Sequence, residues 1–201
     1  MERLKKIVNF LFELNEAKRT PRSGWQRLGI KTSESIADHS CNCAQDAYIL
    51  GLMEGANAEH AAVLALFHDI GEVRTGDENW VSRLYADKPD AEIKAMKAQI
   101  NGLPLNGALA DLLTERIQQK TKEAIIAKDA DILDLIVQSR VHIGTGCSAA
   151  QLFIDSNKPN LRTESAKKLL PLIEKTNLEN WWMEIPEIKE LAQKLAFGAK
   201  N

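Results

Sequence analysis

Two imidazoles and several carboxylates in this chain are spaced so that a divalent cation could be held between them. His68 and Asp69 adjoin at the end of the apolar run Ala61-Ala-Val-Leu-Ala-Leu-Phe67. An imidazole beside a carboxylate on an otherwise buried helix is costly to bury unless something binds it, and a divalent cation satisfies both groups at once. His39 lies upstream, and Glu72 and Asp77 follow the pair. Downstream, Ala127-Lys-Asp-Ala-Asp-Ile-Leu-Asp-Leu135 supplies Asp129, Asp131 and Asp134. Asp131 has Ala127 and Leu135 four residues to either side, an apolar setting for a carboxylate, but periodicity alone does not separate it from the other two.

Neighbouring helical residues point about 100° apart, yet a long imidazole and a short carboxylate can converge on an ion beside the helix. If that helix continues one more turn, Glu72 follows His68 by four residues and Asp69 by three, on the same face and within reach of a water at the ion. Gly71 weakens the helix there and lets a ligand approach the backbone. Two His and two Asp form a donor set of intermediate hardness. It suits Mn, Co, Fe, Ni or Zn better than Ca, leaves Mg possible, and does not choose among them. Four protein donors leave room on the ion for water or a phosphoryl oxygen, as hydrolysis needs.

The elements that must position these groups read as helices. Leu4, Ile7, Val8, Leu11 and Leu14 form one stripe over residues 2–17, and Thr20-Pro-Arg-Ser-Gly24 then opens a polar loop to about Ser35. Ser35-Ile-Ala-Asp38 has capping-box form, so a helix is expected from there to about Glu54, with His39 in its first turn. The His-Asp helix is expected over 58–71, an irregular stretch over 75–89, and further helices near 90–101, 107–119, 122–142, 146–157, 163–176 and 186–198. Gly144-Thr-Gly146 reads as a turn, and Trp181-Trp182 as an anchor of the last helices on the core. No strand-like alternation of useful length occurs, so the expected fold class is all-α.

At 201 residues, one domain is the expectation, with the metal-site core at about 30–142 and the terminal helices packed on it. The composition is 44% hydrophobic and 27% charged, and the net charge of -2 gives no general attraction to nucleic acid or an anionic membrane. Asn9 and Glu13 interrupt what a signal peptide would need as a continuous apolar stretch, and no segment approaches a membrane span. Cys41, Cys43 and Cys147 form neither a disulfide framework nor a recognised zinc spacing, and reduced thiols favour the cytoplasm.

The order Asp38-His39, His68-Asp69, Ala130-Asp131-Ile-Leu resembles the HD-domain superfamily of metal-dependent phosphohydrolases. The segments Glu34-Ser-Ile-Ala-Asp-His39-Ser and Ala65-Leu-Phe-His-Asp-Ile-Gly-Glu-Val-Arg-Thr-Gly-Asp77 are similar to those of the HD-domain 5'-deoxyribonucleotidases, over roughly residues 10 to 140. The resemblance implies an all-α HD-domain helical bundle acting on deoxyribonucleoside 5'-monophosphates. It implies that His39, His68, Asp69 and Asp131 hold one divalent transition metal, which selects Asp131 from its neighbours. Glu72 matches the acidic residue that positions or deprotonates the attacking water. Asp77 matches a carboxylate near the sugar and the leaving oxygen, and Trp25 a tryptophan at the substrate end of the first loop. The bacterial enzymes carry Arg directly before that Trp, where this chain has Gly24. Arg22 would then reach the phosphate, as in the Arg-x-Gly-Trp arrangement of the eukaryotic relatives, or Arg19 or Arg27 would. The resemblance further implies a homodimer, with the apolar N-terminal helix available for its interface. Alternative readings are a different HD phosphohydrolase, such as a nucleotide pyrophosphohydrolase or phosphodiesterase, and a non-catalytic metal- and nucleotide-binding sensor.

Overall fold

The computed structural model describes residues 1–85, 88–105 and 107–198, so part of the expected irregular stretch, residues 86 and 87, lies outside it. The chain runs through α1 (Glu2–Asn15), α2 (Ser23–Arg27), α3 (Ile36–Glu54), α4 (Ala58–Leu66), α5 (Glu72–Thr75), α6 (Trp80–Arg83) and α7 (Lys88–Ile100). It continues through α8 (Ala108–Gln118), α9 (Lys122–Gly144), α10 (Gln151–Asn157), α11 (Glu164–Lys175), α12 (Asn180–Met183) and α13 (Pro186–Gly198). The described residues hold one isolated bridge, Pro21 to Ser35, and no strand. The fold is all-α, as expected. None of the described helices is long and apolar enough to cross a membrane.

The start of α3 follows from its sequence. Ser35 accepts from the Asp38 amide while the Asp38 carboxylate accepts from the Ser35 amide, so the capping box closes and fixes the turn that carries His39. The central core is where α3, α4 and α9 meet. Cys43, Ala47 and Leu50 pack there against Ala61, Leu64 and Ala65 and against Ile126, Ala127, Ala130 and Ile136. Alanines at the contacts let the three axes approach closely, which brings His39, the end of α4 and Asp131 to one place. A second cluster joins Phe10, Ile70, Met96 and Leu113.

Five local expectations are corrected. The α-helix carrying the His-Asp pair ends at Leu66, and His68 and Asp69 lie in the turns between α4 and α5. There the His68 amide reaches only the Ala65 carbonyl, a tighter turn that α-helical bonding does not continue. The loop before α3 contains the short helix α2, and the irregular stretch after Thr75 contains α6. The N-terminal stripe is largely exposed at Leu4, Val8 and Leu11, whereas Phe10 is the α1 side chain that is buried. Trp181 is 79% exposed and Trp182 is 38% exposed, so the pair does not anchor the last helices in the core.

Candidate metal centre and active site

The two histidines are oriented from behind. His39, fully buried, places Nδ1 2.6 Å from the Asp134 Oδ2. His68 places Nδ1 2.6 Å from the Ala65 carbonyl, and a carbonyl can only accept. With a cation bound, each imidazole would keep its proton on Nδ1 and offer its Nε2 lone pair to the ion. The His39 Nε2 lies 3.3 Å from Asp131 Oδ1 and 3.6 Å from Asp69 Oδ2. The His68 Nε2 lies 3.0 Å from Asp69 Oδ2 and 3.8 Å from Asp131 Oδ1.

These four donors fit a divalent cation. The His68 Nε2 is buried without a hydrogen-bond partner even though a carboxylate oxygen is close. A neutral imidazole opposes its Nε2 lone pair to that carboxylate, and a shared cation would turn the contact into attraction. Burial and Arg22 press the His39 pKa down, but the hydrogen bonds with Asp131 and Asp134 raise it well above the ordinary histidine value. Burial alone would raise Asp69 and Asp131, yet the two histidines, with Arg22 on the first and Lys128 on the second, hold both below the usual carboxylate range. Cys43 also lies within ligand distance of His39, His68 and Asp131. Its Sγ is 3.5 Å and 3.6 Å from the two nitrogens of the His39 ring, a position against the ring rather than along a lone pair. Burial pushes that thiol up to about 12, leaving a neutral neighbour.

The three aspartates of α9 have three different placements. Asp131 faces the histidines. Asp134 holds His39 from behind. Asp129, wholly buried, accepts from the amides of Arg162 and Thr163 and from the Thr163 hydroxyl, which ties the start of α11 to α9. No local periodicity distinguishes them, because the distinction is made by partners far away in the chain.

A cavity of about 560 Å³ opens onto this cluster. Arg22, Asp69, Glu72, Asp77 and Asp131 line its polar side. Arg22 stands at the N-terminal flank of α2, where its amide donates to the Glu34 carbonyl, and its Nη1 lies 3.2 Å from Asp69 Oδ2 and 3.3 Å from Asp77 Oδ1. Burial opposes its charge, but Asp69, Asp77, Glu72 and Asp131 outweigh that and raise its pKa. Asp77 Oδ2 accepts from the Ser23 amide at 2.6 Å and the Ser23 hydroxyl at 2.9 Å. Glu72 opens α5 and is buried. Glu92 of α7, which sequence reasoning missed, brings a carboxylate oxygen within 4.8 Å of one from Asp69 and one from Glu72. Gly71 permits that approach, since a Cβ there would stand 2.8 Å from Glu92.

Two expected substrate contacts are placed differently. Arg19 is exposed, pairs with Glu16 one turn back and is not among the residues lining the cavity. Arg27 is exposed as well. Trp25 does line the cavity, but it is 1% exposed. Its Nε1 donates to Glu34, and its ring packs against His142 and Phe153, so it forms wall more than contact surface. At the departure from the bacterial pattern, a Cβ on Gly24 would meet the Phe153 ring at 3.4 Å, an ordinary contact, so the backbone does not demand glycine there. Lys128 and Arg116 both reach Asp131 Oδ2 and give the far side of the cavity a second positive patch that the motifs did not indicate.

The sequence profile of the HD domain matches residues 14–172. The chain belongs to the HD-domain family. Among HD-domain relatives, the 5'-deoxynucleotidase HDDC2 of Danio rerio is 32% identical over 139 residues, covering 66% of this chain and 68% of that protein. The 5'-deoxynucleotidase hdd1 of Schizosaccharomyces pombe is 35% identical over 148 residues, covering 66% of this chain and 70% of the relative. Among solved structures, a conserved hypothetical protein from Pyrococcus furiosus superposes with a TM-score of 0.71 at 28% identity, over 84% of this chain and 97% of that one.

Proposed function

We propose that this HD-domain protein is a metal-dependent phosphomonoesterase that hydrolyses deoxyribonucleoside 5'-monophosphates to deoxynucleoside and phosphate. The observation that carries the reading is a four-donor nitrogen and oxygen cluster sharing one cavity with a fixed arginine and two further carboxylates. Relatives named 5'-deoxynucleotidases support the substrate class.

In this reading His39, His68, Asp69 and Asp131 hold one divalent transition metal: Mn, Co, Fe, Ni or Zn. When bound, such a cation supplies Lewis acidity to a phosphoryl oxygen and lowers the pKa of water. Glu72 orients the attacking water and accepts its proton as the new oxygen–phosphorus bond forms. The bond from phosphorus to the 5'-oxygen breaks, and that oxygen leaves with the electron pair and takes a proton from solvent water, while Glu72 returns its own proton to solvent. Arg22 turns its fork of donors to the phosphate oxygens. Asp77 already accepts from Ser23 on one oxygen and faces Arg22 with the other, so it is built as an acceptor. That suits the sugar 3'-hydroxyl better than protonation of the leaving group. A homodimer and a cytoplasmic location complete the reading, supported by exposed Leu4, Leu11 and Phe12 on α1 and by free thiols at Cys41, Cys43 and Cys147.

The test is phosphate release from deoxyribo- and ribonucleoside mono- and triphosphates by metal-stripped protein resupplied with Mn, Co, Mg or Zn. Faster release from deoxymonophosphates than from their ribo counterparts is expected. No phosphate from any monophosphate, with the metal bound, would overturn the reading. Two substitutions dissect it. Arg22→Ala is expected to raise KM by about tenfold or more, the usual worth of a hydrogen bond to a charged group. An unchanged KM would transfer phosphate binding to Arg116 or Lys128. Asp134→Ala removes the partner that sets the His39 tautomer. Equilibrium dialysis is expected to show metal affinity down about 10–100-fold, with turnover recovering at saturating metal.

A further inference from the structure

The cavity has an apolar side that the proposed chemistry does not use. Phe153 of α10 stands between two tryptophans, its centroid 4.9 Å from Trp25 and 4.8 Å from Trp80. The three rings differ in exposure. Trp25 is sealed in the wall, whereas Trp80, at the first position of α6, lines the cavity and is 43% exposed. An indole left half in water contributes little to a core, and a tryptophan on a cavity wall is suited to a flat ligand.

Trp80 is also held in register with the polar end. Asn79 caps α6 by accepting from the amides of Val81 and Ser82. The same Asn79 donates from Nδ2 to the Ser23 hydroxyl at 3.2 Å, and that hydroxyl donates to Asp77. Two hydrogen bonds therefore link the residue next to the indole with the carboxylate assigned to the sugar. Phe153 supports the ring from behind.

We propose that Trp80, backed by Phe153, is the nucleobase subsite: the base stacks on the exposed indole while the phosphate lies at the charged end of the cavity. This rests on the monophosphatase reading and adds the part of the substrate that reading leaves unplaced. Of the three parts of a nucleotide, only the base is flat and weakly polar enough to gain from an aromatic surface. Recognition by stacking is tolerant of base identity and strengthens with ring area, since every base has a π-face.

The test compares kcat/KM for dAMP with that for 2-deoxyribose 5-phosphate, which keeps the sugar and the phosphoester and lacks the base. The ratio is measured in the wild type, Trp80→Ala and Trp80→Phe, with circular dichroism checking that each variant folds. Base–aromatic stacking predicts that Trp80→Ala lowers the ratio about tenfold and that Trp80→Phe restores most of it. An unchanged ratio overturns the subsite, including the case in which both substrates are lost together because Trp80 only supports the local fold. Should the wild type release phosphate from neither compound, the monophosphatase reading fails separately. Calorimetric titration of metal-loaded protein with the same two compounds then decides the subsite. Trp80→Ala weakening dAMP alone sustains it, and equal binding by the wild type and the variant overturns it.

Discussion

Asp131→Ala is expected to abolish metal binding and phosphate release together, while Asp129→Ala, two residues away, is expected to cost stability and leave the metal in place. Asp131 Oδ1 faces both imidazole Nε2 atoms, so its loss removes a direct donor. Losing an outer partner of a ligand already costs about 10–100-fold in affinity, and a direct donor exceeds that. Asp129 instead accepts three donors from Arg162 and Thr163 in a fully buried position. Stranding those donors costs on the order of 3 kcal/mol. Metal content after dialysis, read beside a thermal melt, separates the outcomes. An Asp131→Ala protein that keeps its metal and melts like wild type would remove Asp131 from the centre. The pH dependence of wild-type metal binding has a definite sign. The His39 pKa is raised well above its ordinary value, so at neutral pH the cation must displace a proton from the imidazole. Apparent affinity should therefore rise from pH 6 to pH 8, and a flat response would mean that the cation displaces no proton from His39.

What could be read in the sequence is what is encoded locally. The capping box at Ser35 and Asp38 announces the first turn of α3, and the structure forms it with His39 inside. Helical periodicity gives the all-α class. Placement of side chains by distant partners is not encoded that way. Asp129, Asp131 and Asp134 share a helix and a composition, and only contacts with residues 162–163 and with His39 part them. Arg19 and Arg22 are three residues apart, yet one folds back on Glu16 while the other enters the cavity, because the backbone at Arg22 is extended and pairs with Glu34. Glu92 and Trp80 reach the cavity from α7 and α6, elements with no motif of their own. The helix expected through Gly71 failed because the apolar run continues the pattern past Leu66, where the backbone has already tightened to present His68 and Asp69. That break matters chemically. It separates the pair from Glu72, which then starts its own helix instead of extending the first.

Glu72 is the residue whose substitution best separates chemistry from binding. It is buried, lines the cavity beside Asp69 and is not among the four donors assigned to the cation, so Glu72→Gln should leave the cation bound. The amide keeps the size of the side chain and loses the ability to take a proton. A general base is worth about 10²–10⁴-fold, so kcat is expected to fall by that factor while KM and metal content stay near wild type. The KM term matters because Arg22 interacts electrostatically with Glu72 as well as with Asp69 and Asp77. If neutralising Glu72 acted through Arg22, substrate affinity would shift and kcat would fall little. Near-normal turnover in Glu72→Gln would rule out proton transfer to this carboxylate. The next base to test would then be Glu92, which the close approach of α7 at Gly71 brings to the same end of the cavity.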